Sequence, residues 1–269
     1  MVMMKRIVLV FVVAAVLWLA LEEKEMTTGI GLPDWGRIKK DVGVSPLSDL
    51  GELAARLGSI NTYDRRGDTV WMDDFEDGII KWSTDTLGTG AAVASSSVYA
   101  RNGAKSAKLT GGSDEDRYAL ITHRVTPLVL SKVGFECSFN HSAAVQYVEW
   151  WLHYFNGTTI YHFAVRFSKV DGKLYYPATA YTWTAFATVA GLFYGPIPFH
   201  TCKLVADPVA LKYVRFLLDE TEYDLSAYAP WSEAASGTPY WEGEIKVVSL
   251  GNQNGVVYVD DVIITQNEP

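Results

Sequence analysis

The sequence predicts an all-β, antiparallel sandwich from about residue 71 to the end of the chain, and three observations carry that expectation. From Trp71 onward, short runs rich in Val, Ile, Thr, Tyr, Phe and Trp alternate with turn residues at intervals typical of sandwiches. No stretch of useful length there repeats with the period of a helix. Aromatic residues make up 13% of the chain, with nine Trp and fifteen Tyr. Rings at that density serve either a thick sandwich core or a surface on which ligands stack.

The chain divides into residues 1–25, 26–70 and 71–269. In the first part, Lys5 and Arg6 precede an apolar run from Ile7 to Leu21, and Glu22-Glu23-Lys24-Glu25 follows. The run is shorter than the about 20 residues of a membrane-spanning helix but suits the apolar centre of a signal segment. Trp18 and Ala20 before Leu21 do not make a small-x-small cleavage pattern. The charge order suits an uncleaved helical anchor with the rest of the chain outside the cell. Met26 is an alternative start, in which case the upstream residues are not translated. In the second part, Leu47, Leu50, Leu53 and Leu57 share one helical face, and Ser48 or Asp49 can cap that short helix. This extended arm holds too little apolar content to fold alone, so it packs along the sandwich or docks on a neighbour.

The sandwich begins with Trp71–Gly78 and ends with Val256–Ile264. Between them the strand signals fall at 106–109, 119–125, 132–140, 147–155, 159–170, 173–176, 200–206, 213–219 and 243–250. Cys137 and Cys202 are the two cysteines, and each lies within an apolar run on the side of its apolar neighbours. They read as two buried thiols or as an inter-sheet disulfide, the latter requiring an oxidising compartment. A formal charge of −8, without clustered Lys or Arg, argues against binding a phosphate backbone, so nucleic acid is not an expected partner.

The middle of the chain allows a surface to be derived. Asn156-Gly157 is a strong two-residue hairpin signal between two aromatic-rich runs. Placing Phe155 opposite Thr158 sets His153 opposite Ile160, Trp151 opposite His162, Glu149 opposite Ala164 and Tyr147 opposite Arg166. Side chains alternate across a strand, so these share one face, while Val148, Trp150, Leu152, Tyr161, Phe163, Val165 and Phe167 form the core face. Asp171-Gly172 signals a second hairpin with Val170 opposite Lys173 and Ser168 opposite Tyr175. Continued without a bulge, it brings Tyr181 to His162 and Trp183 to Ile160, although Pro177 interrupts a ladder unless it lies at an edge. The outer face then gathers Tyr147, Glu149, Trp151, His153, His162, Arg166, Tyr175, Tyr181 and Trp183. Rings that stack on the C–H faces of sugars, beside groups that bond to hydroxyls, fit a glycan. The alternative is that the arm, the loop 191–199 or a second subunit covers this face.

Phe75-Glu76-Asp77-Gly78 at the start and Tyr258-Val259-Asp260-Asp261-Val262 at the end resemble the end motifs of carbohydrate-binding modules and concanavalin A-like domains. The stretches His200–Val205, Lys212–Phe216 and Glu222–Leu225 resemble the latter group as well, and the resemblance extends from about Asp73 to Thr265. It implies a jelly roll, in a family that includes lectins, glycan-binding modules, glucanases, lyases and viral surface proteins. It also implies a structural Ca2+ held between the first and last strands by Glu76 and Asp261, with Asp74 and Asp77 as further candidates. A solvated acidic turn is the alternative reading of those residues.

Signals for catalysis are poor. Laminarinase-type glucanases carry Glu-x-Asp-x-x-Glu on one strand, and Glu149-Trp150-Trp151-Leu152 lacks the second and third carboxylates. Alginate-lyase-type sites pair a Gln-x-His strand with Arg and Tyr, which His153, His162, Arg166 and Tyr181 match only loosely. The expectation is therefore a non-catalytic, carbohydrate-binding surface module outside the cell. Its alternative is a coat, tail or decoration subunit of a phage or virus, with the 26–70 arm locking repeated subunits together. A polysaccharide lyase or glycosidase comes third.

Overall fold

The computed structural model describes residues 64–269, apart from 115–116, 127–128, 181, 190 and 196–197. The anchor-like segment, the expected helix of the arm and Tyr181 lie outside the described residues. Those described contain sixteen strands and no helix. The strands, numbered in chain order, form two eight-stranded sheets.

The first sheet runs β13 (Thr221–Asp224), β12 (Lys212–Leu218), β11 (His200–Asp207), β6 (Val133–His141), β16 (Val256–Gln266), β4 (Ser106–Thr110) and β3 (Ala92–Ser96). In addition, β1 (Asp68–Asp73) pairs with β16. The second sheet runs β10 (Thr182–Thr188), β9 (Lys173–Thr179), β8 (Thr159–Ser168), β7 (Val145–Phe155), β15 (Tyr240–Ser249), β5 (Tyr118–Val125) and β2 (Ser83–Thr86). There β14 (Trp231–Ala234) pairs with β8. All pairings are antiparallel, and the strands neighbouring β15 and β16 come from distant parts of the chain, as in a jelly-roll sandwich.

Period-two alternation places the core. Val148, Trp150 and Leu152 of β7 and Phe163, Val165 and Phe167 of β8 are buried against Phe135, Phe139, Leu204 and Phe216 of the first sheet. Gly243 of β15 is required by this packing: a Cβ there would stand 2.6 Å from the Phe135 ring.

Both expected hairpins keep their faces but change register by two residues. Phe155 lies opposite Ile160, His153 opposite His162, Trp151 opposite Ala164 and Glu149 opposite Arg166. The reason is local. Asn156 spends its side chain on the N–H groups of Thr158 and Thr159, at 3.0 and 2.9 Å, while its own N–H bonds to Thr159 O. The two-residue loop is therefore Gly157-Thr158, with Gly157 at φ +103°, the positive angle that a type II′ turn needs at its first central residue. At the second hairpin Ser168, not Val170, faces Lys173. Four residues form that loop, closed by Gly172 N donating to Ser168 O.

The expected continuation of β9 along β8 does not occur. Pairing with β8 ends at Tyr175, and Pro177, which has no N–H to give, lies beyond it. Strand β10 turns back on β9, so Trp183 faces Pro177, and the vacated edge of β8 is taken by β14, with Glu233 opposite Ile160.

Cys137 and Cys202 are free, buried thiols. They face each other on neighbouring strands of one sheet with sulfurs 3.5 Å apart, so an inter-sheet disulfide is ruled out by placement. On the outer face of that sheet, Lys203 is buried in an ionic cluster, 2.7 Å from Glu268 and 3.3 Å from Asp64. Arg215 holds the other oxygen of Glu268. This cluster ties both ends of the described chain to the sandwich.

Candidate functional site

The outer face of the second sheet brings together every described residue of the expected surface. Strand β7 supplies Tyr147, Glu149, Trp151 and His153; β8 supplies His162 and Arg166; β9 and β10 supply Tyr175 and Trp183. The described residues of the loop 191–199 bond to the first sheet instead. Gly195 donates to His141 O and accepts from Asn140, and Phe193 O bonds with His200, all on the first sheet.

Glu149 anchors the arrangement. It is 1% exposed, and its Oε1 accepts from Arg166 Nε at 2.8 Å. Oε2 accepts from the indole N–H of Trp151 at 2.9 Å, with Lys246 Nζ at 3.5 Å. The Arg166 guanidinium lies between two rings, 4.0 Å from the centre of Tyr147 and 3.9 Å from that of Trp183. Trp183 in turn meets Trp151 edge-on at 5.6 Å. Tyr175 lies opposite Arg166 and bonds to Asp171.

Farther along the strands, His153 and His162 join through their Nδ1 atoms at 2.8 Å. Trp151 stacks on His153, and Trp231 of β14 stacks on His162 with ring centres 3.8 Å apart. Burial, with a smaller effect from neighbouring His153, pushes His162 down to about 3, so this ring is uncharged at neutral pH. Its Nε2 is buried without a hydrogen bond, 3.4 Å from Glu233. His153 Nε2 stands 3.8 Å from Glu244.

Five residues of this face were not anticipated from the sequence: Glu242, Glu244 and Lys246 of β15, and Trp231 and Glu233 of β14. The run Glu242-Gly243-Glu244-Ile245-Lys246-Val247 alternates polar and apolar, which was signal enough for an outward row. What local pattern withheld is that β15 lies beside β7, with Glu242 opposite His153 and Glu244 opposite Trp151. Two clefts continue the face. One of 570 Å³ is lined by Phe155, Ile160, Tyr240, Arg124 and the loop Ala235–Pro239. The other, of 410 Å³, is lined by Lys81, Ser83, Thr122, His123, Arg124 and Glu242. Arg124, ion-paired with Glu242 and lying over the Tyr240 ring, borders both.

The acidic residues at the two ends of the sandwich also meet, in a different arrangement from the expected one. A bulge in β16 between Asp260 and Ile263 separates β4 from β1, and the backbone at Arg101 and Asn102 fills the gap by donating to Asp260 Oδ2. Asp261 has φ +47° and accepts from Asn102 Nδ2 at 2.6 Å, while its Oδ1 is buried without a partner. Burial pushes Asp260 up to about 6; burial and the neighbouring Asp260 push Asp261 up to about 7, with Asp74 adding to both. Glu76 instead accepts from the N–H groups of Ala104 and Lys105. Asp77 is exposed and 3.4 Å from Lys81, on a path of its own. Among the described residues no three His, Cys, Asp or Glu side chains converge on one metal position.

No protein-family model matches the chain, and no curated protein matches it. Solved structures similar to it include the carbohydrate esterase of the Shiga toxin-encoding bacteriophage phi24B, at 18% identity over 75% of this chain and 100% of that one, TM-score 0.49. An endo-β-1,4-glucuronan lyase of Trichoderma reesei is similar at 10% identity over 74% and 96% of the two chains, TM-score 0.49. A carbohydrate-binding module of the β-sandwich superfamily is similar at 13% identity over 76% and 64%, TM-score 0.41.

Proposed function

We propose that this chain is a non-catalytic carbohydrate-binding module that receives a saccharide on the outer face of its second sheet. The observation that carries the reading is the half-buried Trp151 ring, fixed from below by Glu149 and flanked by Trp183 and His153. Such a ring offers a rigid platform to the C–H face of a pyranose, and ordering it costs little on binding. Glu149 supports the non-catalytic part: its oxygens are engaged by Trp151, Arg166 and Lys246 in holding the surface together.

Affinity electrophoresis through polysaccharide gels tests this directly. Trp151→Ala abolishes retardation and Trp151→Phe keeps most of it, with the circular dichroism of both unchanged. Retardation of the Ala variant equal to that of the parent would sink the assignment. Release of unsaturated or reducing ends by the parent protein would overturn its non-catalytic part.

A structural Ca2+ at the Asp260–Asp261 bulge accompanies this reading. The unpartnered Oδ1 of Asp261, inside a pair of buried carboxylates that repel each other, suits a cation. Asp261 and Asp74 would hold it, with backbone carbonyls completing a shell of six to eight oxygens. The ion would neutralise the pair and stabilise the bulge, with no part in binding sugar.

A further inference from the structure

We infer that the glycan taken by this face carries free amino groups, as in a de-N-acetylated amino sugar, and that polyuronates are excluded. The inference rests on the carbohydrate reading above and adds to it the charge class of the ligand.

Arg166 and Lys246 both converge on Glu149, and Arg124 closes on Glu242. Each of the three thus has a carboxylate partner inside the protein, with Arg166 and Lys246 sharing one, and Arg166 is further covered on both sides by Tyr147 and Trp183. A carboxylate on the ligand would have to break one of these pairs to gain a partner. Glu244 and Glu233 are placed differently. They terminate a chain that runs Glu244–His153–His162–Glu233, so each faces an imidazole rather than a guanidinium or ammonium. His162 does not neutralise its neighbour, since burial keeps it uncharged. Its Nε2 is buried, with Glu233 Oε1 3.4 Å away.

The centre of the face is therefore negative, and it is walled by Trp151, Trp183 and Trp231. Indole faces attract cations through their quadrupole, and carboxylates strengthen the attraction. A protonated amino group on a pyranose satisfies both, while the rest of the ring stacks. Neutral sugars stack without the added charge contact. Uronates meet Glu244 and Glu233 as like charges.

Calorimetric titration of the full chain with three tetrasaccharides at mildly acidic pH separates the possibilities: β-1,4-linked glucosamine, N-acetylglucosamine and glucuronate. Glucosamine binds about tenfold more tightly than its N-acetylated form, the gain from one hydrogen-bonded charge pair, and glucuronate does not bind. Glu244→Gln and Glu233→Gln each erase most of that preference, read as the ratio of the glucosamine and N-acetylglucosamine dissociation constants. Equal affinity for the two amino-sugar forms, or preference for glucuronate, overturns the inference while leaving the carbohydrate reading intact. Failure of all three, and of the polysaccharide gels, removes both.

Discussion

The indole N–H of Trp151 donates to Glu149 at 2.9 Å, so the half-buried ring of the surface is held by a buried carboxylate beneath it. The same carboxylate neutralises Arg166, itself clamped between Tyr147 and Trp183. The proposed recognition surface and the stability of the sheet therefore meet at one side chain. Glu149→Gln leaves the partly buried Arg166 guanidinium, clamped between two rings, without its counter-charge, and the loss is about 2 kcal/mol in chemical denaturation. Trp151→Phe removes one hydrogen bond and costs about 1 kcal/mol. Equal losses in the two variants would show that Glu149 serves only the indole.

Lys203 is buried beneath the chain at Asp64–Arg66 and beside Glu268, where it also donates to Arg66 O at 2.9 Å. Lys203→Ala strands carboxylates in the interior and costs about 3–5 kcal/mol. The segments at Asp64–Arg66 and Glu268–Pro269 that it ties down become more susceptible to limited proteolysis than in the parent. Unchanged protection of both segments in the variant would contradict this role.

Two buried histidines lower stability as the solution is acidified below about pH 6.5, a contribution opposed over the same range by Asp260 and Asp261, whose raised carboxyls take up protons in the folded chain. Burial pushes His141 down to about 4 and His162 to about 3. The unfolded chain takes up protons at these positions near the ordinary histidine value, and the folded chain resists until far lower pH. Their contribution is thus complete above pH 6.5 and drains away toward pH 4, by up to about 3 kcal/mol for each. Thermal unfolding of His141→Gln as a function of pH checks the sign: its acid-side slope is shallower than that of the parent. A steeper slope would mean that His141 is charged in the folded state.

Millimolar Ca2+ raises the melting temperature of the parent protein, and chelation reverses the rise. Asp261→Asn relieves repulsion with Asp260, so it melts at or above the metal-free parent and gains nothing from Ca2+. A calcium response that survives in Asp261→Asn would move the ion elsewhere. No response in the parent would remove it.

The sequence by itself determined the fold class, most strand positions and the sorting of Trp151, His153, His162 and Arg166 from Trp150, Leu152 and Phe163. That sorting survived a register error because pairing slipped by two residues, and a side chain alternating with period two returns to the same face after such a slip. The spacing that Asn156 and Gly157 set was harder to read, since an Asn side chain can bond the turn from outside the loop as well as sit within it. Only the tertiary structure decided that β15 lies beside β7 and β14 beside β8, which added Glu242, Glu244, Lys246, Trp231 and Glu233 to the face. Periodicity reports which way a side chain points from its own strand. Which strands become neighbours is set by closing long loops around a shared core, and that balance of burial against chain entropy is a property of the whole chain.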